Sequence, residues 1–113
     1  MKILFQLTAT LHFQSTRPQK PVKWDTSSPE FEKAREAISE EWGTEAAFVG
    51  CGGSIPIAGH FQQITGVDPM LIGFAKDDDQ IHSPNEKYDL ESFRKGIRSW
   101  VRVINSFSEL QNV

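Results

Sequence analysis

Two short apolar runs, Ala46 to Val49 and Met70 to Phe74, set the fold of this chain. Each reads as a buried strand, and the segment from Ile55 to about Thr65 between them reads as a helix. A further helix precedes the first run. Ser28 is placed to cap it, Pro29 suits its first position, and Glu30 and Glu32 complement the helix dipole. Phe31, Ala34, Ala37, Ile38 and Trp42 recur at helical spacing, and Gly43 stands where a C-cap glycine belongs. A last helix, capped by Asp89, presents Leu90, Phe93, Ile97, Trp100, Val101, Ile104 and Phe107 on one face, the pattern of a helix that buries a stripe. From residue 29 onward the order is helix, strand, helix, strand, helix. Two buried strands joined through a helix predict a parallel pair with a right-handed crossover. The fold class is therefore α/β, as a partial layer with a parallel strand pair flanked by helices.

Residues 2–14 follow a different period. Ile3, Phe5, Leu7, Ala9, Leu11 and Phe13 alternate with Lys2, Gln6, Thr8, Thr10, His12 and Gln14, and Leu4 is the exception. That alternation predicts one long half-buried strand, antiparallel in a sheet with a wet face. Pro18, Pro21 and the run Asp25-Thr26-Ser27-Ser28 mark residues 15–28 as a linker and a domain boundary. The apolar start at Met1 is broken by Gln6, Thr8 and Thr10 with no small-residue cleavage site behind it, so no signal peptide is expected.

Composition removes several function classes. The formal net charge of the 113 residues is -3, which argues against a nucleic-acid surface. No segment approaches the length of a membrane span. One cysteine, Cys51, excludes an internal disulfide and fits a reducing, cytoplasmic setting.

Chemistry could sit at two places. Gly52-Gly53-Ser54-Ile55-Pro56 lies between a strand and a helix. Glycines there let a ligand approach the backbone, and the helix start offers free N–H groups to an anion such as a carboxylate. A plain tight turn with a helix cap explains the same residues. The motif is neither a P-loop nor a dinucleotide fingerprint. The second place is His82-Ser83-Pro84-Asn85-Glu86, in the loop after the second apolar run. Pro84 stiffens that loop, His82 is a candidate metal ligand, and Glu86 could orient it. A solvent-exposed loop histidine is the competing reading, because one histidine makes no metal site without partners. His12 and His60 read as surface or packing residues. Asp77-Asp78-Asp79 reads as a solvated loop without the glycine and distal glutamate of a calcium loop. Glu40-Glu41 reads as surface. Cys51, just before a helix start, could act as a nucleophile with His82 as its base, or pack inertly.

Taken in order, Gly52-Gly53-Ser54-Ile55-Pro56-Ile57, Leu71-Ile72-Gly73-Phe74, His82-Ser83-Pro84-Asn85-Glu86 and Asp89-Leu90-Glu91-Ser92-Phe93 with Gly96 resemble the end of the co-catalytic zinc peptidases, metallopeptidase family 20. That family includes carnosinase, carboxypeptidase G, aminoacylase and acetylornithine deacetylase. The resemblance covers residues 29 to about 105, and its wording is nearest the dipeptidase branch. It implies that His82 ligates one of two zinc ions, that Gly53, Ser54 and Ile55 lie against the substrate, and that Glu86 supports His82. Many relatives carry an Arg-Glu pair where Gly50-Cys51 stand here, which leaves substrate preference open. The family's other ligands and its general base lie in an N-terminal segment, and no His-x-Asp occurs in this chain. The resemblance thus implies residues 1–28 as the last strand of a lid-type domain plus linker, and residues 29–113 as the C-terminal part of a catalytic domain. It implies a metal-activated water mechanism on dipeptides or N-acyl amino acids, no catalytic residue in this chain, and inactivity alone. The partner would be the N-terminal half of the enzyme or a homodimer mate. The alternative is a non-catalytic relative acting as a binding or interaction module.

Overall fold

The computed structural model of the chain describes residues 4–8, 23–51 and 55–110. Its elements are β1 (Leu4–Thr8), α1 (Pro29–Trp42), β2 (Ala47–Cys51), α2 (Pro56–Thr65), β3 (Ile72–Gly73) and α3 (Leu90–Leu110). The order of elements from residue 29 follows the sequence pattern, and helices and strands mix as expected. The strand expected over residues 2–14 is present at Leu4–Thr8, and its continuation lies outside the described residues.

Helix α1 ends as its sequence dictates. Gly43 takes the left-handed conformation, φ 64°, and its N–H donates to the Ser39 carbonyl at 2.9 Å. The Ser39 hydroxyl accepts from the Ala46 N–H at 2.9 Å while donating to the Arg35 carbonyl at 2.6 Å. One serine therefore pins the helix end to the start of β2. Ser28 occupies the N-cap position without the expected side-chain cap bond. Phe31, Ala34, Ala37, Ile38 and Trp42 are all buried, as their spacing predicts.

Helix α3 departs from expectation. Of the apolar face read from its sequence, only Phe107 packs against the core. Leu90, Phe93, Ile97, Trp100, Val101 and Ile104 face solvent. The buried face is Ser92, Gly96, Ser99 and Val103. The reason is steric. Bulk at this interface comes from α1 and from the segment after β3: Trp42 stacks on Phe74 with ring centroids 5.6 Å apart. A Cβ at Gly96 would stand 3.0 Å from the Phe74 ring. Only small residues admit the helix to that distance, and Ser99 also accepts the Trp42 indole N–H at 2.9 Å.

Glu41 is a second correction. Its side chain is only 6% exposed, and it receives Arg98 at 2.6 Å and Arg102 at 2.9 Å from α3. The expectation of a surface residue holds for Glu40 alone.

The three strands form one sheet in the order β2-β1-β3. β1 runs parallel to β2, with Leu4 opposite Ala47 and Thr8 opposite Cys51. It runs antiparallel to β3, with Leu4 opposite Gly73. The parallel pair is thus β1 with β2. The one expected between β2 and β3 does not form, and those strands run in opposite directions on either side of β1. The crossover argument assumed that the connection ends with its helix. Here Gly66, at φ 70°, turns the chain at the end of α2, and irregular residues follow as far as β3. At roughly 3.3 Å per residue that segment can span a strand's length a second time, which is enough to reverse β3.

Candidate functional site

The loop between β3 and α3 is built around one carboxylate. Asp79 is 1% exposed. Its side chain accepts the Lys76 backbone N–H at 2.8 Å and the Lys87 ammonium at 3.3 Å. Its carbonyl accepts the Lys87 N–H at 3.0 Å, which closes the loop at its neck. Lys87 also reaches Asp78 at 3.0 Å and Asp89 at 3.1 Å, and Lys76 meets Asp89 at 2.5 Å. The hydrogen bonds to Asp78 and Asp89 raise the affinity of Lys87 for its proton. Those from Lys76 and Lys87 hold the Asp89 carboxyl below the usual carboxylate range. The sequence reading of Asp77-Asp78-Asp79 as a solvated run is right for the first two and wrong for the third. Nothing within the run sets Asp79 apart. The legible signal is the charged set Lys76, Lys87 and Asp89 on either side of the motif.

Inside that neck the chain makes two successive turns. The Ser83 N–H donates to the Gln80 carbonyl at 3.0 Å, and the Glu86 N–H donates to the Ser83 carbonyl at 3.2 Å. Gln80, His82 and Asn85 all adopt positive φ, at 51°, 61° and 64°. For a residue with a Cβ this region is unfavourable, and residues held in it gather at binding sites. His82 and Glu86 both stand exposed at this tip. The loop therefore holds the imidazole away from the protein body on a braced, strained backbone.

The other predicted residues are distributed as follows. Gly53 and Ser54 lie outside the described residues, as does His12. Ile55 is exposed and occupies the N-cap position of α2, where Pro56 opens the helix. His60 is exposed on α2. Because β2 and β3 run oppositely, Cys51 ends β2 at one edge of the sheet and Gly73 ends β3 at the other.

Among the described residues no group of three His, Cys, Asp or Glu side chains could hold a metal ion. A catalytic zinc site takes three protein ligands. His82 is one donor, and the described residues do not complete a metal site around it. No described helix is long and apolar enough to cross a membrane.

Comparison with known proteins gives consistent matches. The model of peptidase family M20/M25/M40 matches residues 7–106. The Cys-Gly metallodipeptidase Dug1 of Schizosaccharomyces pombe is 32% identical over 90 residues, which are 77% of this chain and 19% of that protein. The Saccharomyces cerevisiae Cys-Gly metallodipeptidase is 32% identical over 85 residues, 75% of this chain and 18% of its own. The solved structure of the Saccharomyces cerevisiae dipeptidase Dug1p superimposes with a TM-score of 0.71 at 31% identity, covering 77% of this chain and 18% of that one. The chain thus spans about a fifth of the length of these relatives.

Proposed function

The chain belongs to peptidase family M20/M25/M40, and from that premise we propose that it is the C-terminal part of a metal-dependent dipeptidase acting on Cys-Gly. Its own contribution is His82 as one ligand of a two-zinc site, with Glu86 beside it in the same turn. The observation that carries this reading is the loop itself. A buried Asp79 braces a turn in which His82 is held at φ 61° with its side chain exposed. A residue held there costs about 1–3 kcal/mol, and such residues gather at functional sites, which supports a role for this loop. Gly53, Ser54 and Ile55 are assigned to the substrate carboxylate on the sequence motif alone. The division at residue 28 also rests on the resemblance, and β1 hydrogen-bonds in the same sheet as β2 and β3.

The remaining ligands and the proton-transferring carboxylate are assigned to the N-terminal part of the family's catalytic domain. The isolated chain is then inactive, and N-acyl amino acids are the alternative substrate class. The test is co-expression with the part of the Saccharomyces cerevisiae relative outside the match, followed by metal analysis and Cys-Gly hydrolysis. Activity and bound zinc should be lost in His82→Ala and kept in His60→Ala. Full activity in His82→Ala, or chelator-sensitive hydrolysis by the chain alone, would overturn the assignment. The lack of three clustered donors among the described residues favours a second reading, a binding module without catalysis. Association with the N-terminal part that yields neither zinc uptake nor hydrolysis would establish it.

A further inference from the structure

The tip of the His82 loop is strained, and its bonds to the body of the protein run only through the neck. Gln80, His82 and Asn85 hold positive φ, a region that a residue with a Cβ leaves when nothing keeps it there. Inside the tip, the Ser83 hydroxyl donates to the Gln80 carbonyl at 2.6 Å, and the turn bonds from the Ser83 and Glu86 N–H groups also close on the tip itself. Among the described residues, no hydrogen bond or ion pair joins 80–86 to the rest of the protein. The bonds that hold the strained conformation in place therefore lie at its two ends, Asp79 and Lys87. Lys87 is the member common to them. Its N–H meets the Asp79 carbonyl at 3.0 Å, and its ammonium stands 3.3 Å from the Asp79 carboxylate, 3.0 Å from Asp78 and 3.1 Å from Asp89. Asp79 is itself buried and fixed by the Lys76 N–H. Asp89 leads into α3, where its carbonyl accepts the Phe93 N–H at 3.0 Å. One side chain thus ties the residue before the tip to the helix behind it. An ammonium has three donors, and three carboxylates meet this one, so none is left for a substrate.

We infer that Lys87 is a positioning residue: acting through Asp79 and Asp89, it holds the strained turn on which His82 is presented. The inference rests on the functional reading above and deepens it, because it gives control over the imidazole to a residue outside the ligand motif. A site residue has to be held to within about 0.5 Å of its productive place, and the tip has no other bonded hold on the body. Without the ammonium, the buried Asp79 carboxylate loses its countercharge and the neck loses its tie to α3. The three left-handed residues then relax toward ordinary backbone regions and carry His82 with them.

The experiment compares Lys87→Met, which removes the charge, with Lys87→Arg, which keeps charge and donors. Lys33→Met is the control, since Lys33 holds only a surface pair with Glu36 on α1. The first readout is the 113-residue chain alone. Backbone carbon shifts and residual dipolar couplings report the positive φ of Gln80, His82 and Asn85. That signature should be lost in Lys87→Met and kept in Lys87→Arg and Lys33→Met, with the signals of α1 and α3 unchanged in all three. A signature retained in Lys87→Met would overturn the inference. Loss of the α1 and α3 signals as well would overturn it by making Lys87 part of the general fold. The second readout is zinc affinity, by competition with a chromogenic chelator, of the chain paired with the N-terminal part of the Saccharomyces cerevisiae relative. The zinc dissociation constant should rise about tenfold in Lys87→Met, as for other residues that support a ligand, and stay within about twofold in Lys87→Arg and Lys33→Met. Unchanged zinc affinity in Lys87→Met despite an altered tip would overturn the positioning role. A wild-type pair that takes up no zinc, with the tip altered in Lys87→Met as expected, would defeat the functional reading and leave the hold of Lys87 on His82 standing.

Discussion

Helices α1 and α2 share an apolar periodicity but not its fate. α1 buries Phe31, Ala34, Ala37, Ile38 and Trp42, and its one inward acid, Glu41, is met by two arginines. α2 leaves Ile57, Phe61 and Ile64 in water, and the outer stripe of α3 does the same. The difference lies in what stands opposite. α1 faces serines and a glycine on α3, so its large side chains have somewhere to go. Among the described residues, nothing covers Ile57, Phe61 and Ile64 of α2 or the outer side of α3. Large apolar residues therefore mark the core only where this chain supplies the second surface.

The sharpest way to break that comparison is Trp42→Ala. Trp42 is 6% exposed, stacks on Phe74 and donates to Ser99. Removing it opens a cavity between α1 and α3 and leaves Ser99 without its indole donor. The expected loss is about 3–5 kcal/mol by urea unfolding, enough to unfold much of a small domain. A loss below about 1 kcal/mol would show that the α1–α3 contact is not the closed region proposed.

Glu41 gives a smaller effect with a pH signature. Burial raises its pKa, but the hydrogen bonds from Arg98 and Arg102, with their charges, outweigh this, and the folded value lies below the ordinary 4.5. A depressed carboxylate stabilises the fold above its unfolded pKa, and that stabilisation is lost as pH falls through the folded value. Glu41→Gln should therefore cost about 1–2 kcal/mol at pH 7, discounted for the half-exposed arginines. The two proteins should converge in stability once the pH is well below 4.5. A constant difference across the whole range would show that shape, not charge, holds the contact.

The helices and the turn glycines were legible because their signals are local. Pro29 and Gly43 bracket α1 by backbone geometry that no distant residue alters. The faces of α3 were not legible. A hydrophobic period states which residues share a side, not which side has a neighbour, and Gly96 reads as a weakness until Phe74 is placed 3.0 Å from its missing Cβ. Strand direction failed for a similar reason, since nothing local reveals that β1 takes the place beside β2. At the candidate site the His82 motif was legible as a string of residues. Its bracing was not, because burial of Asp79 depends on Lys76 and Lys87 folding over it.

The smallest expected effect tests whether the His82 loop is shaped for a task. His82 sits at φ 61° and is exposed, so its side chain adds little packing while its Cβ disfavours the backbone it must hold. A left-handed residue with a Cβ costs about 1–2 kcal/mol relative to its preferred regions. Glycine removes that penalty but gives the unfolded chain more freedom, worth about 0.5–1 kcal/mol against folding. His82→Gly should therefore be neutral or stabilising by up to about 1 kcal/mol, read as an unchanged or slightly raised melting temperature. Asp79→Ala, in the same loop, should destabilise, because it strips a buried acceptor from the Lys76 N–H and leaves the Lys87 ammonium one partner short. Stability that is indifferent to position 82 yet sensitive to position 79 separates the brace from the group it presents. A His82→Gly variant that loses more than about 1 kcal/mol would show the imidazole to be a structural part of the turn, and the argument from strain to ligand would fail with it.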